Sequence, residues 1–240
     1  MPKPVSILTT AALLVAALGA RPLRAQLPGL PLFQGAFPSP GLAAGVDVGR
    51  AESRTMTAAA VGYGPRSERF GLVAGLGLFN NTAPGYGGSH IGYGARFALT
   101  AFRFAGQRLA VTPFAGYGSS RGTLESGTLA GLSATPEDTG AVLRTDEFPF
   151  GVAVGFRTRL GATRALALSL APAYTLDRRS GGTLDASHGG LRVSAVAEVA
   201  VMPQIGVTLA TEFGQSATGE DPGPRGSRIG LGLSYAFAKR

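Results

Sequence analysis

The sequence predicts an all-β chain: one transmembrane antiparallel up-and-down β-barrel of about ten strands. Three observations predict it. Along the last segment Ile229, Leu231, Leu233, Tyr235 and Phe237 alternate with Gly230, Gly232, Ser234 and Ala236, and a period of two puts one strand face in hydrocarbon and the other in a small, polar interior. Glycine accounts for 37 of the 240 residues, about twice its usual share of roughly 7%. Much of it falls on alternate positions within apolar runs, where the inward side chains of a tightly curved sheet favour small residues. Finally, the connections between alternating segments are short and long by turns, as the two ends of a membrane barrel require.

Residues 1–25 read as a cleavable signal peptide. Lys3 gives a positive start, Ile7 to Ala20 is mostly apolar, and Leu23-Arg24-Ala25 is an acceptable cleavage site before Gln26. That apolar run is shorter than the roughly 20 residues a membrane helix needs. Residues 26–40 hold Pro28, Pro31, Pro38 and Pro40, which oppose ladder pairing, so they are expected to form a periplasmic lead-in. The barrel is expected over 41–240.

Ten alternating segments follow, at 41–50, 56–64, 69–79, 91–103, 109–119, 148–160, 164–176, 191–201, 205–213 and 228–238. An eight-strand barrel is the alternative if the first hairpin is shorter. With both termini in the periplasm, Pro65–Glu68, Phe104–Arg108, Gly161–Thr163 and Met202–Gln204 become tight turns. The outer connections Asn80–His90, Ser120–Glu147, Asp177–Gly190 and Gly214–Ser227 become long loops, and only Ala51–Thr55 is short.

The faces separate consistently. Lipid-facing sets include Phe70, Leu72, Ala74, Leu76 and Leu78, and Leu166, Leu168, Leu170, Pro172 and Tyr174. No charge interrupts them, and one arginine at the midplane would cost about 2–4 kcal/mol. A soluble sandwich or lipocalin-like barrel would carry charges on this face. Aromatics gather at the two boundaries: Tyr93, Tyr117, Phe150, Tyr174 and Phe213 outside, and Tyr63, Phe70, Tyr235 and Phe237 inside, forming interfacial girdles without tryptophan.

With its terminal aromatic strand, the chain resembles the small bacterial outer-membrane β-barrels of the OmpX/opacity type. Members of that group end on the aromatic residue, whereas here Ala238, Lys239 and Arg240 follow Phe237. The resemblance implies a cell outer-membrane location, contact with outer-membrane lipid and lipopolysaccharide, and recognition of the last strand by the barrel-assembly machinery.

Chemistry is sparse. There is no cysteine, so neither a disulfide framework nor a thiolate site is available. No cluster of residues has metal spacing, and no cofactor is expected. The glycine runs at Gly75-Leu76-Gly77 and Gly85–Gly88 are not followed by helical periodicity, so a phosphate-binding loop is not supported. Asn80-Asn81-Thr82 matches a glycosylation acceptor, which is uninformative in a bacterial envelope. Loss of residues 1–25 lowers the net charge from +8 to +5, too mild to argue for nucleic acid.

His90 and His188 are the two histidines, both beside outer loops. The omptins, ten-stranded outer-membrane proteases, place acidic residues and an Asp–His pair on their rim. Asp177, Asp185, His188, Glu220 and Asp221 could supply such groups here, but no omptin motif is present. Ser89 and His90 would point to opposite faces of a strand and cannot form a nucleophile–base pair.

By parity Asp47, Arg96, Arg157, Arg192, Glu198 and Glu212 point inward, three of each sign, with Arg159 at the periplasmic rim. Arg192 and Glu212 are expected to form a salt bridge near the outer mouth. Arg157 and Glu198 are expected at a second polar level below it. Balanced interior charge favours a plugged barrel with a non-enzymatic structural or surface role. The alternatives are a narrow porin for water and small solutes, and a rim enzyme, protease or lipid-modifying. No specific ligand is legible.

Overall fold

The structure, a computed structural model, describes residues 35–51, 54–81, 86–87, 89–124, 140–161, 164–181, 184–214 and 228–237. The expected signal peptide, the first part of the lead-in, and Glu220 and Asp221 lie outside the described residues.

Ten strands build the wall: β1 (Gly41–Ala51), β2 (Arg54–Gly64), β3 (Phe70–Asn81), β4 (Ser89–Leu99), β5 (Leu109–Leu124), β6 (Val142–Leu160), β7 (Arg164–Gly181), β8 (Leu184–Ala200), β9 (Ile205–Gly214) and β10 (Arg228–Ala236). Each pairs antiparallel with its sequence neighbours, and β10 returns to β1 through Ala43↔Ala236 to Arg50↔Ile229, so the sheet is closed. Two short pieces pair with β5: Tyr86–Gly87, and Phe102–Phe104 just after a break at Thr100–Ala101. Followed once around the barrel, the register returns to β1 about twelve residues away, a stagger that tilts the strands by about 40° and sets a backbone radius of about 10 Å.

The alternation read from the sequence is the alternation of the wall. Ile229, Leu231, Leu233, Tyr235 and Phe237 are exposed, as are Phe70, Leu72, Leu76 and Leu78, while Asp47, Thr112, Thr175, Ser194 and Glu212 are buried. This inside-out distribution has a simple cause. Outward residues meet lipid tails as apolar as themselves, and polar groups can be satisfied only inside.

The strand boundaries differ from the sequence expectation mainly at the long-loop end. β5 runs five residues further than expected, to Leu124, and β7 five further, to Gly181; β6 and β8 begin at Val142 and Leu184 instead of 148 and 191. These extensions carry Arg144, Asp146, Arg178 and Asp185 on the outward face. Their hairpins rise above the apolar band, where the outward face is polar and the alternating apolar signal disappears.

At the other end the turns are tight. Glu68 donates its N–H to the Pro65 carbonyl at 2.8 Å with φ 50°, and Ala105, Gly106 and Gln107 all take positive φ in the turn before β5. Residues 35–40 are the described part of the expected lead-in. They turn up into the short-turn mouth, and Ala36 is wholly buried among Ala98, Phe114, Ala153, Ala171 and Ala173.

Candidate functional site

The interior of the barrel holds most of the chain's unusual chemistry, in three levels. The upper level, nearest the long loops, is built on Arg192 of β8. Its Nη1 donates to Glu147 Oε2 at 3.2 Å and its Nη2 to Asp177 Oδ2 at 3.1 Å. All three side chains are less than a tenth exposed. Register explains the meeting: Glu147 lies opposite Asp177 across β6 and β7, and Arg192 lies opposite Ala173 across β7 and β8. Arg192 is therefore four residues along from the position opposite Asp177, and its extended side chain spans that offset to reach the carboxylate.

Glu212 lies opposite Ser194 as the tight Met202–Gln204 turn requires, and its Oε2 accepts the Ser194 hydroxyl at 2.9 Å. It adds Coulombic attraction on Arg192. Arg192 also bridges Glu147 and Asp177, two acids expected in the outer loops. Continuing the β6 parity from Ala153 through Gly151 and Pro149 reaches Glu147, and continuing β7 from Ala173 through Thr175 reaches Asp177. Both signals were present once the strands were extended.

The middle level is the alanine-rich cluster around Ala36. The Ala36 N–H donates to Ser169 Oγ at 3.0 Å, and its carbonyl accepts from Thr112 Oγ1 at 2.7 Å. Both polar groups of an inserted backbone are therefore satisfied by side chains of the wall, as burial demands. Two glycines make the space. A Cβ on Gly155 would stand 2.6 Å from Ala36 Cβ, and one on Gly71 would stand 2.8 Å from Pro38 Cβ. Arg96 also points in at this level, its guanidinium 5.7 Å from the Phe114 ring centre. Asp47 is buried on β1, opposite Ala58 and Gly232.

The lower level is organised by Glu68, which the sequence reading left in a turn without a role. Its carboxylate accepts from Arg157 at 3.1 Å and from Arg103 at 3.0 Å, and its carbonyl accepts from Arg103 and Thr100. Arg157 also stacks 4.2 Å from the Phe37 ring centre. The guanidinium thus binds the turn and the inserted segment together, and a partly desolvated cation–π contact contributes about 1–2 kcal/mol. The second polar level was expected between Arg157 and Glu198. The two do line one cavity of about 490 Å³ at the short-turn mouth, with Phe37 and Arg66, but Glu68 is the carboxylate that holds Arg157. Arg159 is exposed at the same rim.

Outside, the aromatic residues mark two belts. Tyr93, Tyr117 and Phe148 form a contact series, with Phe150 against Tyr174, toward the long loops; Phe70 meets Phe97 and Tyr235 meets Phe237 toward the short turns. Tyr63 and Phe213 are exposed on the same outer surface. Just above the upper belt the Tyr117 hydroxyl donates to Asp146 Oδ1 at 2.7 Å, and Arg144 bridges Asp146 at 2.9 Å. Partial burial pushes the Asp146 carboxyl up; hydrogen bonds from Tyr117, Ser119 and Arg144 outweigh it and hold the group below the usual carboxylate range.

The Asp177 and His188 raised as rim chemistry stand directly opposite each other on β7 and β8. Asp177 is bridged to Arg192 and sits in the upper level of the lumen. Asp185 is exposed and bridged to Arg178 at 3.1 Å. His90, on β4, comes close to Gly122 of β5. Among the described residues no group of three or more His, Cys, Asp or Glu could hold a metal ion.

No family profile matches the chain, and no curated protein matches it in sequence. Solved structures do match. The translocator domain of the autotransporter NalP from Neisseria meningitidis superposes with a TM-score of 0.50 at 12% identity, covering 83% of this chain and 89% of that one. Neisserial surface protein A gives a TM-score of 0.37 at 11% identity over 82% of this chain and 97% of that one, and the KdgM porin gives 0.35 at 9% over 82% and 99%. At these identities the likeness concerns the fold alone, that of an outer-membrane β-barrel.

Proposed function

We propose that the chain is an outer-membrane protein with a non-enzymatic structural or surface-interaction role, whose lumen is closed to free passage of solutes. One observation carries this reading: the lumen is filled at two separate levels. The Arg192–Glu147–Asp177 cluster occupies the upper half, and the Ala36–Phe37 segment occupies the lower half. Within a backbone radius of about 10 Å, side chains already take most of the space, so either obstruction restricts passage.

The short-turn end then faces the periplasm and the long loops face outward, as outer-membrane barrels are built. Lipopolysaccharide and outer-membrane lipid surround the apolar band, and the barrel-assembly machinery engages β10. Export through the signal peptide at residues 1–25 belongs to the same reading. The rival is a narrow porin for water and small solutes. Single-channel recording of the purified protein in a planar bilayer separates the two. Silence, or rare brief events, is expected; sustained conductance steps would overturn the closed lumen and favour the porin.

A further inference from the structure

The charges of the two barrel ends are arranged differently. At the long-loop end two of the outward arginines are paired, Arg144 with Asp146 and Arg178 with Asp185, while Arg50 and Arg121 are exposed there as separate charges on different strands. At the short-turn end Arg66, Arg69, Arg108, Arg159 and Arg164 are all exposed. None of the five forms an ion pair among the described residues; of the carboxylates at that mouth, Glu68 is already held by Arg103 and Arg157, and Glu198 lies inside the cavity. This cationic collar lies directly beneath exposed aromatics, Phe70 stacked on Phe97 and Phe102 stacked on Phe104. A groove of about 640 Å³ between Arg66, Arg69, Arg103 and Phe102, with Ser67 and Thr100 in its lining, opens on the collar.

We propose that this rim is a docking surface for the phosphate headgroups of anionic phospholipids in the leaflet at the short-turn end. Continuity with the lipid-facing wall supports a lipid partner. An acyl chain lying against Phe70 or Phe102 carries its phosphate to the level of the collar, where aromatics mark the boundary. Charge complementarity supplies the selectivity. Unneutralised guanidinium groups at a membrane surface attract anionic headgroups over zwitterionic ones, and arginine suits phosphate through its forked donors. At the opposite rim Arg144 and Arg178 already hold carboxylates, so the preference is weighted toward the leaflet at the short-turn end.

The inference rests on the membrane placement proposed above, and one experiment separates the two. The protein is folded into vesicles of phosphatidylcholine containing a minor fraction of phosphatidylglycerol, extracted in mild detergent, and its retained lipids are measured by native mass spectrometry. Phosphatidylglycerol is expected to be retained over its share in the vesicle by about thirtyfold, the effect of two arginines acting on one headgroup. The variant carrying Arg66→Gln, Arg69→Gln, Arg108→Gln, Arg159→Gln and Arg164→Gln should fall back to the vesicle ratio. The smaller Arg66→Gln/Arg69→Gln variant should show part of that loss, and Arg144→Gln/Arg178→Gln none. A folded barrel that retains both lipids in the vesicle ratio, or a collar variant that retains phosphatidylglycerol like wild type, would overturn the rim site alone. Arginine-dependent binding of peptidoglycan fragments without lipid preference would likewise overturn it. Failure to insert into the vesicles at all would overturn both readings.

Discussion

Arg192 shows how much a single side chain decides inside a barrel. It is one cation among three carboxylates, bridged to Glu147 and Asp177 and attracted by Glu212. A buried ion pair is weak evidence of net stabilisation, but removing one member strands a buried charge. The members are not equivalent. Without Asp177, Arg192 still holds Glu147; without Arg192, Glu147, Asp177 and Glu212 all lose the guanidinium they share. Arg192→Met is therefore expected to lower stability by about 3–5 kcal/mol, measured by urea unfolding of the micelle-bound protein, and Asp177→Asn by clearly less. An Arg192→Met barrel as stable as wild type would show that water already neutralises this level. Gly189 makes a different point on the lipid face: a Cβ there would meet the Tyr174 ring, so the aromatic covers the glycine and both belong to one packing unit.

Among the elements, residues 35–40 change the character of the barrel most. They are held at Ala36 by Ser169 on its N–H and Thr112 on its carbonyl, capped by Arg157 on Phe37, and given room by Gly155 and Gly71. Gly155→Val should push Ala36 out of its pocket while leaving the wall strands paired. Hydrogen exchange reads this directly. The Ala36 amide, protected in wild type by its bond to Ser169, should lose protection in the variant while amides of β6 and β7 keep theirs; retained protection at Ala36 would show that the segment is not seated as described. This insertion was not legible in the sequence. Four prolines exclude residues 26–40 from the ladder but do not say on which side of the wall they lie. The strands themselves were legible, because each strand has one face in lipid and alternation records it. The upper hairpins were not, since Arg144, Asp146, Arg178 and Asp185 make their outer face polar. Glu147 and Asp177 were missed for that reason, and Glu68 because a turn residue has no periodicity to read.

At the scale of the molecule, the sequence pattern and the closed register converge on a barrel with an apolar outer wall, whose lumen holds the Arg192 cluster and the inserted Ala36 segment. The asymmetry of its two ends follows from the same strands: tight turns with a cationic rim below, extended hairpins with paired charges above. The absence of cysteine makes the central claim directly accessible to single-cysteine labelling in vesicles at adjacent positions of β6. Val154 is nearly half exposed on the outer wall and Ala153 is buried on the inner one. Val154→Cys carrying a fluorophore should be quenched by lipid-borne quenchers, whereas Ala153→Cys should react with neither a lipid-soluble nor a small water-soluble thiol reagent until the barrel is unfolded. Rapid labelling of Ala153→Cys from water would contradict the closed lumen, and quenching at 153 instead of 154 would contradict the register of the wall itself.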